Sequence, residues 1–192
     1  LGAIASGCLL YGMSLVYGLT GTLLLNEIAT ALQGPPSLGL IMGVVFLVVG
    51  VAFKFGGVPF HMWVPDVYHG APTSVTLLVA TAPKIASFAL AFRLLAEGLG
   101  NTADTWIQMV TIVAVLSALL GNVIAVAQTN LKRMLAYSAI GNVGFILFGF
   151  VAGTEQGYEA SLYYTVVYVL MALGAFGAML LASARGFRSE EH

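Results

Sequence analysis

Apolar residues in this chain come in long unbroken runs, and polar residues gather in the short stretches between them. Six runs approach or exceed the roughly 20 residues a helix needs to cross a hydrocarbon core: 1–18, 38–60, 73–95, 106–127, 132–152 and 159–183. The separators "GLTG", "QGPPS", "HGAP", "EGLGNTAD", "AQTN" and "GTEQG" read as turns. Lipid offers backbone groups no hydrogen-bond partner, so runs of this kind must be helical. The pattern therefore predicts an all-α, polytopic transmembrane helix bundle, a single domain over residues 1–192. The first run is short and starts with neither a Met nor a basic flank, which reads as the cut edge of a longer chain. Thr129 or Asn130 is placed to cap the helix beginning near Leu131, and Thr73 or Ser74 the one following Pro72. "VPDVYHGAPTS" reads as a compact turn leading into that helix.

Composition agrees with lipid as the solvent. The chain is 59% hydrophobic and 8% charged, against about 25% charged for a soluble domain. A net charge of −1 gives no reason to expect a nucleic-acid partner. Cys8 is the only cysteine, which excludes disulfides within the chain, thiolate metal sites and iron–sulfur clusters. The seven basic residues orient the spans. Lys54 and Lys84 fall inside runs, and Arg93 ends the third. Lys132 and Arg133 precede the fifth, and Arg185 and Arg188 follow the sixth. Alternating crossings put those last four on one face and Arg93 on the other, so that face is expected to be cytoplasmic. Loop 65–71, loop 128–133 and the C-terminal tail share it.

The two lysines inside runs change the picture most. Lys84 lies midway along "VTLLVATAPKIASFALAF". An unpaired charge at that depth costs at least about 2.5–3.5 kcal/mol. Thr81 and Ser87 flank it at helical spacing, and Pro83 cannot donate to the carbonyl of Val79. A lysine, two hydroxyls and an open carbonyl on one face read as the lining of a hydrated cavity. The alternative is a lysine neutralised by a structural carboxylate. Lys54 lies near the end of its run, where its amine could reach the interface. Yet apolar sequence continues to Asp66, so the break at Gly56, Gly57, Val58 and Pro59 is expected inside the membrane. A discontinuous helix there is tolerated only where its backbone is buried in protein or faces water. The break would open carbonyls beside Lys54 and let His61 face the same cavity. The alternative is a snorkelling lysine with an interfacial His61 and Trp63.

Other residues receive smaller roles. Asp66 is expected to fix geometry rather than carry protons, and His69 to lie at the surface. Tyr158, Tyr163, Tyr164 and Tyr168 read as packing and interfacial anchors. Ser138 and Asn142, one turn apart, form a weak polar face that could extend a hydrated path or join helices. The histidines and the loop aspartate supply no metal-ligand set, and the glycines show no phosphate-cradling pattern. Burial disfavours the charged form of an amine, and a nearby cation disfavours it further, so two such groups on adjacent helices can take and release protons. The residues alone point to a proton- or cation-translocating membrane module.

"FKFGGVPFHMWVPDVYHGAPTSVTLLVATAPKIASFALAFRL", "GNVIAVAQTNLKRMLAYSAIGNVGFILFGF" and "YEASLYYTVVYVLMALGAFG" resemble the antiporter-like membrane subunits of bacterial NADH:quinone oxidoreductase, complex I. Lysine at position 84, where relatives more often carry histidine, favours the subunit N branch. The resemblance covers nearly the whole chain and implies helices six to eleven of a fourteen-helix fold with inverted repeats. It implies that Lys54 is the lysine of the first broken helix, Lys84 the central lysine of the next, and His61 the histidine after the break. A glutamate expected to pair with Lys54 and a lysine expected near the exit fall outside this sequence. Asn142 stands where many relatives have histidine and cannot titrate, so that step would run through water. The family implies a proton-translocating membrane-arm subunit of the bacterial inner membrane. NADH, FMN, iron–sulfur clusters and quinone would be held by other subunits, and the partners would be the other membrane-arm subunits. Relatives in multisubunit cation/proton antiporters and membrane-bound hydrogenases imply an alternative driven by an ion gradient or another redox reaction. A structural membrane scaffold, with lysines merely paired to neighbours, is the third reading.

Overall fold

A computed structural model describes residues 1–184. Arg185 and Arg188, two of the residues used to orient the chain, lie outside the described residues. Each of the six apolar runs forms a helix long and apolar enough to cross a membrane. These are α1 (Gly2–Thr20), α3 (Leu38–Phe55), α5 (Thr73–Ala91), α6 (Ala103–Val126), α7 (Leu131–Val151) and α8 (Glu155–Ala184). Two short helices join them, α2 (Leu25–Ala31) and α4 (Trp63–Gly70). The chain is thus a multi-pass membrane protein.

Local chemistry sets the boundaries. Ser37 caps α3 by accepting the Leu40 N–H, and Asn130 caps α7 by accepting the Arg133 N–H, as its position predicts. The side chains of Thr73 and Ser74 do not cap α5: Pro72 takes the cap position, and Thr73 is already helical. Past Ala91 the chain winds on as a π-helical segment, Phe92–Gly98, so the third span runs seven residues beyond α5. "VPDVYHG" is helix rather than turn, because α4 is amphipathic: Val64, Pro65 and Tyr68 are buried and Asp66 and His69 are exposed.

Small residues let the long helices approach, as is usual where lipid replaces the hydrophobic drive. A Cβ on Gly50 would lie 2.7 Å from Leu9 Cβ, which brings α1 against α3. Gly144 lies against Ala118, and Gly121 against Gly141, so α6 and α7 form the closest pair. The core runs from Val44, Leu47 and Phe55 of α3 through Phe88 of α5 and Trp106 of α6 to Ile146 and Phe150 of α7. A second cluster joins Val58, Val64 and Tyr68 to Ala136 and Ile140 of α7 and Tyr168 and Phe176 of α8. The broken helix lies where these two clusters meet.

Candidate functional site

The site is built on the end of α3. Gly56 adopts a left-handed conformation, φ 72°, that a side chain would strain. Gly56 N–H donates to the Phe53 carbonyl and Gly57 N–H to the Ala52 carbonyl, a paired closure that ends the helix and leaves the Phe55 carbonyl unused by the backbone. The peptide between Val58 and Pro59 is cis. Three hydrogen bonds tie the break to other elements. Val58 N–H donates to Ser117 Oγ of α6 at 2.8 Å. Trp63 Nε1 of α4 donates to the Phe53 carbonyl at 3.1 Å. Lys84 Nζ of α5 donates to the Phe55 carbonyl at 2.5 Å. The backbone at residues 55–58 is therefore buried in protein, as the sequence requires of a break at membrane depth.

Lys84 is only 2% exposed. Among the described residues it makes no ion pair; its neighbour is the negative end of a helix dipole. The carboxylate-neutralised alternative therefore gains nothing from the described residues. Thr81 and Ser87 share its buried face, as their spacing predicts. Thr81 Oγ1 donates into its own helix, to the Leu77 carbonyl at 2.7 Å, so it offers Lys84 only acceptor capacity. Pro83 is exposed.

The expected constellation is brought together only in part. Gly56 and Lys84 meet, with the Lys84 Nζ 3.8 Å from where a Gly56 Cβ would lie, and Thr81 and Ser87 are buried on the face of α5 that carries Lys84. Lys54, one residue before the Phe55 carbonyl, is exposed and makes no ion pair among the described residues. His61 is half-buried, and its Nδ1 is buried with no hydrogen-bond partner among the described residues. Pro59 is exposed. Asp66 Oδ1 lies 3.8 Å from Arg133 Nη1, with its side chain largely exposed. Asn142 Nδ2 donates to the Ser138 carbonyl at 2.8 Å, and Asn142 Oδ1 accepts from Tyr164 Oη at 2.7 Å. The pair thus joins α7 to α8 through a tyrosine.

Ser117 and Lys132 carry roles that the sequence did not reveal. A lone serine inside "VLSALLGN" carries no signal. Lys132 counted as a surface charge, yet is only 6% exposed. The Phe55 carbonyl is one of those expected to open beside Lys54, since any Gly-terminated helix at membrane depth leaves acceptors to be satisfied, and it is Lys84 that takes it.

Subunit N of NADH-quinone oxidoreductase from Thioalkalivibrio sulfidiphilus is 58% identical, over 99% of this chain and 40% of its own length. Respiratory complex I from Thermus thermophilus with bound aureothin contains a chain 36% identical, with a TM-score of 0.76 over 93% of this chain and 38% of that one. The archaeal membrane-bound sulfane sulfur reductase, a respiratory membrane complex, contains one 28% identical, with a TM-score of 0.83 over 93% of this chain and 37% of that one. The chain spans about two fifths of the length of the curated relatives it matches. Residues 1–191 match the family described as "NADH:quinone oxidoreductase/Mrp antiporter, TM". The chain belongs to the NADH:quinone oxidoreductase/Mrp antiporter transmembrane family.

Proposed function

We propose that this chain forms the central part of a proton-translocating membrane-arm subunit of NADH:quinone oxidoreductase, corresponding to subunit N. The observation that carries the reading is Lys84, a buried amine held on a helix-terminal carbonyl with no carboxylate among the described residues to fix its charge. The carbonyl accepts from the amine in either protonation state, so Lys84 can exchange a proton without losing its place. The charged form gains further from the helix C-terminus, which limits the cost of holding the proton.

The other residues take supporting roles. Lys54, exposed on this chain, is available to a carboxylate elsewhere in the longer protein. His61 presents a buried ring nitrogen beside the break and can pass a proton between the break and the membrane surface. Asn142 is held on both sides by Ser138 and Tyr164, so it orients water rather than titrating. Redox groups belong to other subunits: NADH, FMN, iron–sulfur clusters and quinone bind there, and this chain supplies the proton path. The protein sits in the bacterial inner membrane with loop 65–71, loop 128–133 and the C-terminal tail in the cytoplasm.

The test uses inverted membrane vesicles carrying the full-length protein. NADH oxidation should acidify the vesicle lumen equally in sodium-containing and sodium-free buffer. Lys54→Ala should abolish most of that signal with the complex assembled, and Lys54→Arg should keep part of it, because guanidinium can still pair with a carboxylate. Sodium-gradient-driven proton exchange without NADH would replace this reading with that of an antiporter. Normal pumping by both the Lys54→Ala and the Lys84→Ala variants would leave only a scaffold.

A further inference from the structure

We infer that the basic pair opening α7, Lys132 and Arg133, is a clamp that positions α4, and through α4 the Phe55 carbonyl that receives Lys84. The functional half of this statement rests on the proposed role of Lys84. The placement of the pair needs a cause. Two cations in the first turn of a helix face the positive end of its dipole, where they are disfavoured. Lys132 is also withdrawn from solvent, 6% exposed. Acceptors that offset these costs lie on α4 and at its C-terminal cap. Lys132 Nζ donates to the carbonyl of Ala71, the C-terminal cap of α4, at 3.4 Å. Arg133 Nη1 lies 3.8 Å from Asp66 Oδ1, in the first turn of α4. One cation thus meets the negative end of α4 and the other its first-turn carboxylate. The pair is itself oriented, since Arg133 N–H donates to Asn130 Oδ1 at 3.1 Å and Arg133 Nε to Gln128 Oε1 at 3.4 Å.

α4 has only eight residues, short of the roughly 12–15 that sustain an isolated helix. Its position therefore depends on ties to its neighbours. Trp63 ties its start to the Phe53 carbonyl, and Thr76 Oγ1 ties its end to α5 by donating to the Tyr68 carbonyl at 3.2 Å. Val64, fully buried, rests directly on the break: a Cβ on Gly56 would lie 2.5 Å from Val64 Cγ2. Gly56 follows Phe55, so a shift of α4 is passed to the carbonyl on which Lys84 sits.

The clamp is tested in the assembled complex carrying the full-length protein. Amide hydrogen exchange is followed along α4 in Lys132→Met, Lys132→Arg and Arg133→Gln, with NADH-driven proton uptake measured on the same preparations. Met keeps the packing of the lysine stem and removes the donor. Loss of a charged donor predicts exchange faster by about tenfold or more over residues 66–71 in Lys132→Met. Arg133→Gln should show a smaller rise, because its ion pair is largely solvated. Lys132→Arg should restore both protection and proton uptake, and exchange in α3 and α6 should stay unchanged throughout. Unchanged exchange of α4 in Lys132→Met overturns the clamp. Lost pumping with α4 fully protected also overturns it, and makes Lys132 a proton-handling group in its own right. If Lys84 variants pump normally while Lys132→Met still loosens α4, the clamp stands and the proton role of Lys84 falls.

Discussion

Replacing Ser117 with alanine should loosen the break without disturbing the helix that carries it. Ser117 is fully buried, and its Oγ accepts the N–H of Val58, 4% exposed, at 2.8 Å. Ser117→Ala removes one oxygen and leaves α6 with a good helix former. The Val58 amide is then buried without a partner, at a cost of about 1–3 kcal/mol. That corresponds to a rise of roughly 5- to 150-fold in the population of the opened break, at tenfold per 1.4 kcal/mol. Hydrogen exchange of the peptide spanning residues 56–63, in the assembled complex, reads this population directly. Exchange should quicken by that factor there and remain unchanged in α1, and proton uptake should fall because the Phe55 carbonyl loses its fixed position. Unchanged exchange would refute the reasoning. So would faster exchange with undiminished proton uptake, since break geometry would then be irrelevant to Lys84.

Three further outcomes follow from the same geometry. Gly56→Ala places a side chain at φ 72° and against Val64 Cγ2, costing about 1–2 kcal/mol for the left-handed backbone and about 1–3 for the overlap. The assembled complex should lose thermal stability, and adding Val64→Ala should recover the second part; no recovery would deny that contact. Tyr164→Phe removes the donor to Asn142 Oδ1 at a half-buried position where water can substitute, so stability should fall by about 0.5–1.5 kcal/mol with most pumping kept. A loss matching that of Lys84→Ala would make Tyr164 a proton carrier. A cysteine replacing the exposed His69 should react with impermeant maleimide from the cytoplasmic side alone; labelling from outside would invert the topology.

Six spans, the discontinuous helix and the buried lysine were legible in the sequence for definite reasons. Apolar runs of that length have one stable form in lipid. The Gly56-Gly57 pair ends a helix whatever surrounds it, and Lys84 has hydroxyls at helical spacing. What could not be read depends on contacts between distant parts of the chain. α4 is a helix because Val64 and Tyr68 find a buried face against α7 and α8, where the local proline and glycines suggested a turn. Ser117 matters because it lies 59 residues from the amide it accepts. Lys132 looked like a topology signal because its acceptor, the Ala71 carbonyl, is 61 residues away. Lys54 and Lys84 are expected, from their place on adjacent helices, to exchange protons as one relay. On this chain Lys84 turns inward and Lys54 outward, and the helix end between them decides which is which.

The central claim is that Lys84 exchanges a proton rather than serving as a fixed charge. The most direct measurement is NADH-driven proton uptake in vesicles for Lys84→Arg beside Lys84→Ala and wild type, with quinone reduction followed in parallel and assembly checked on native gels. Guanidinium can still donate to the Phe55 carbonyl but does not release its proton in the membrane. Lys84→Arg should therefore pump almost as poorly as Lys84→Ala, with quinone reduction falling alongside if the two are tightly coupled. Lys84→Arg pumping at the wild-type rate would show that position 84 needs only a positive charge, and the account of this site would be wrong.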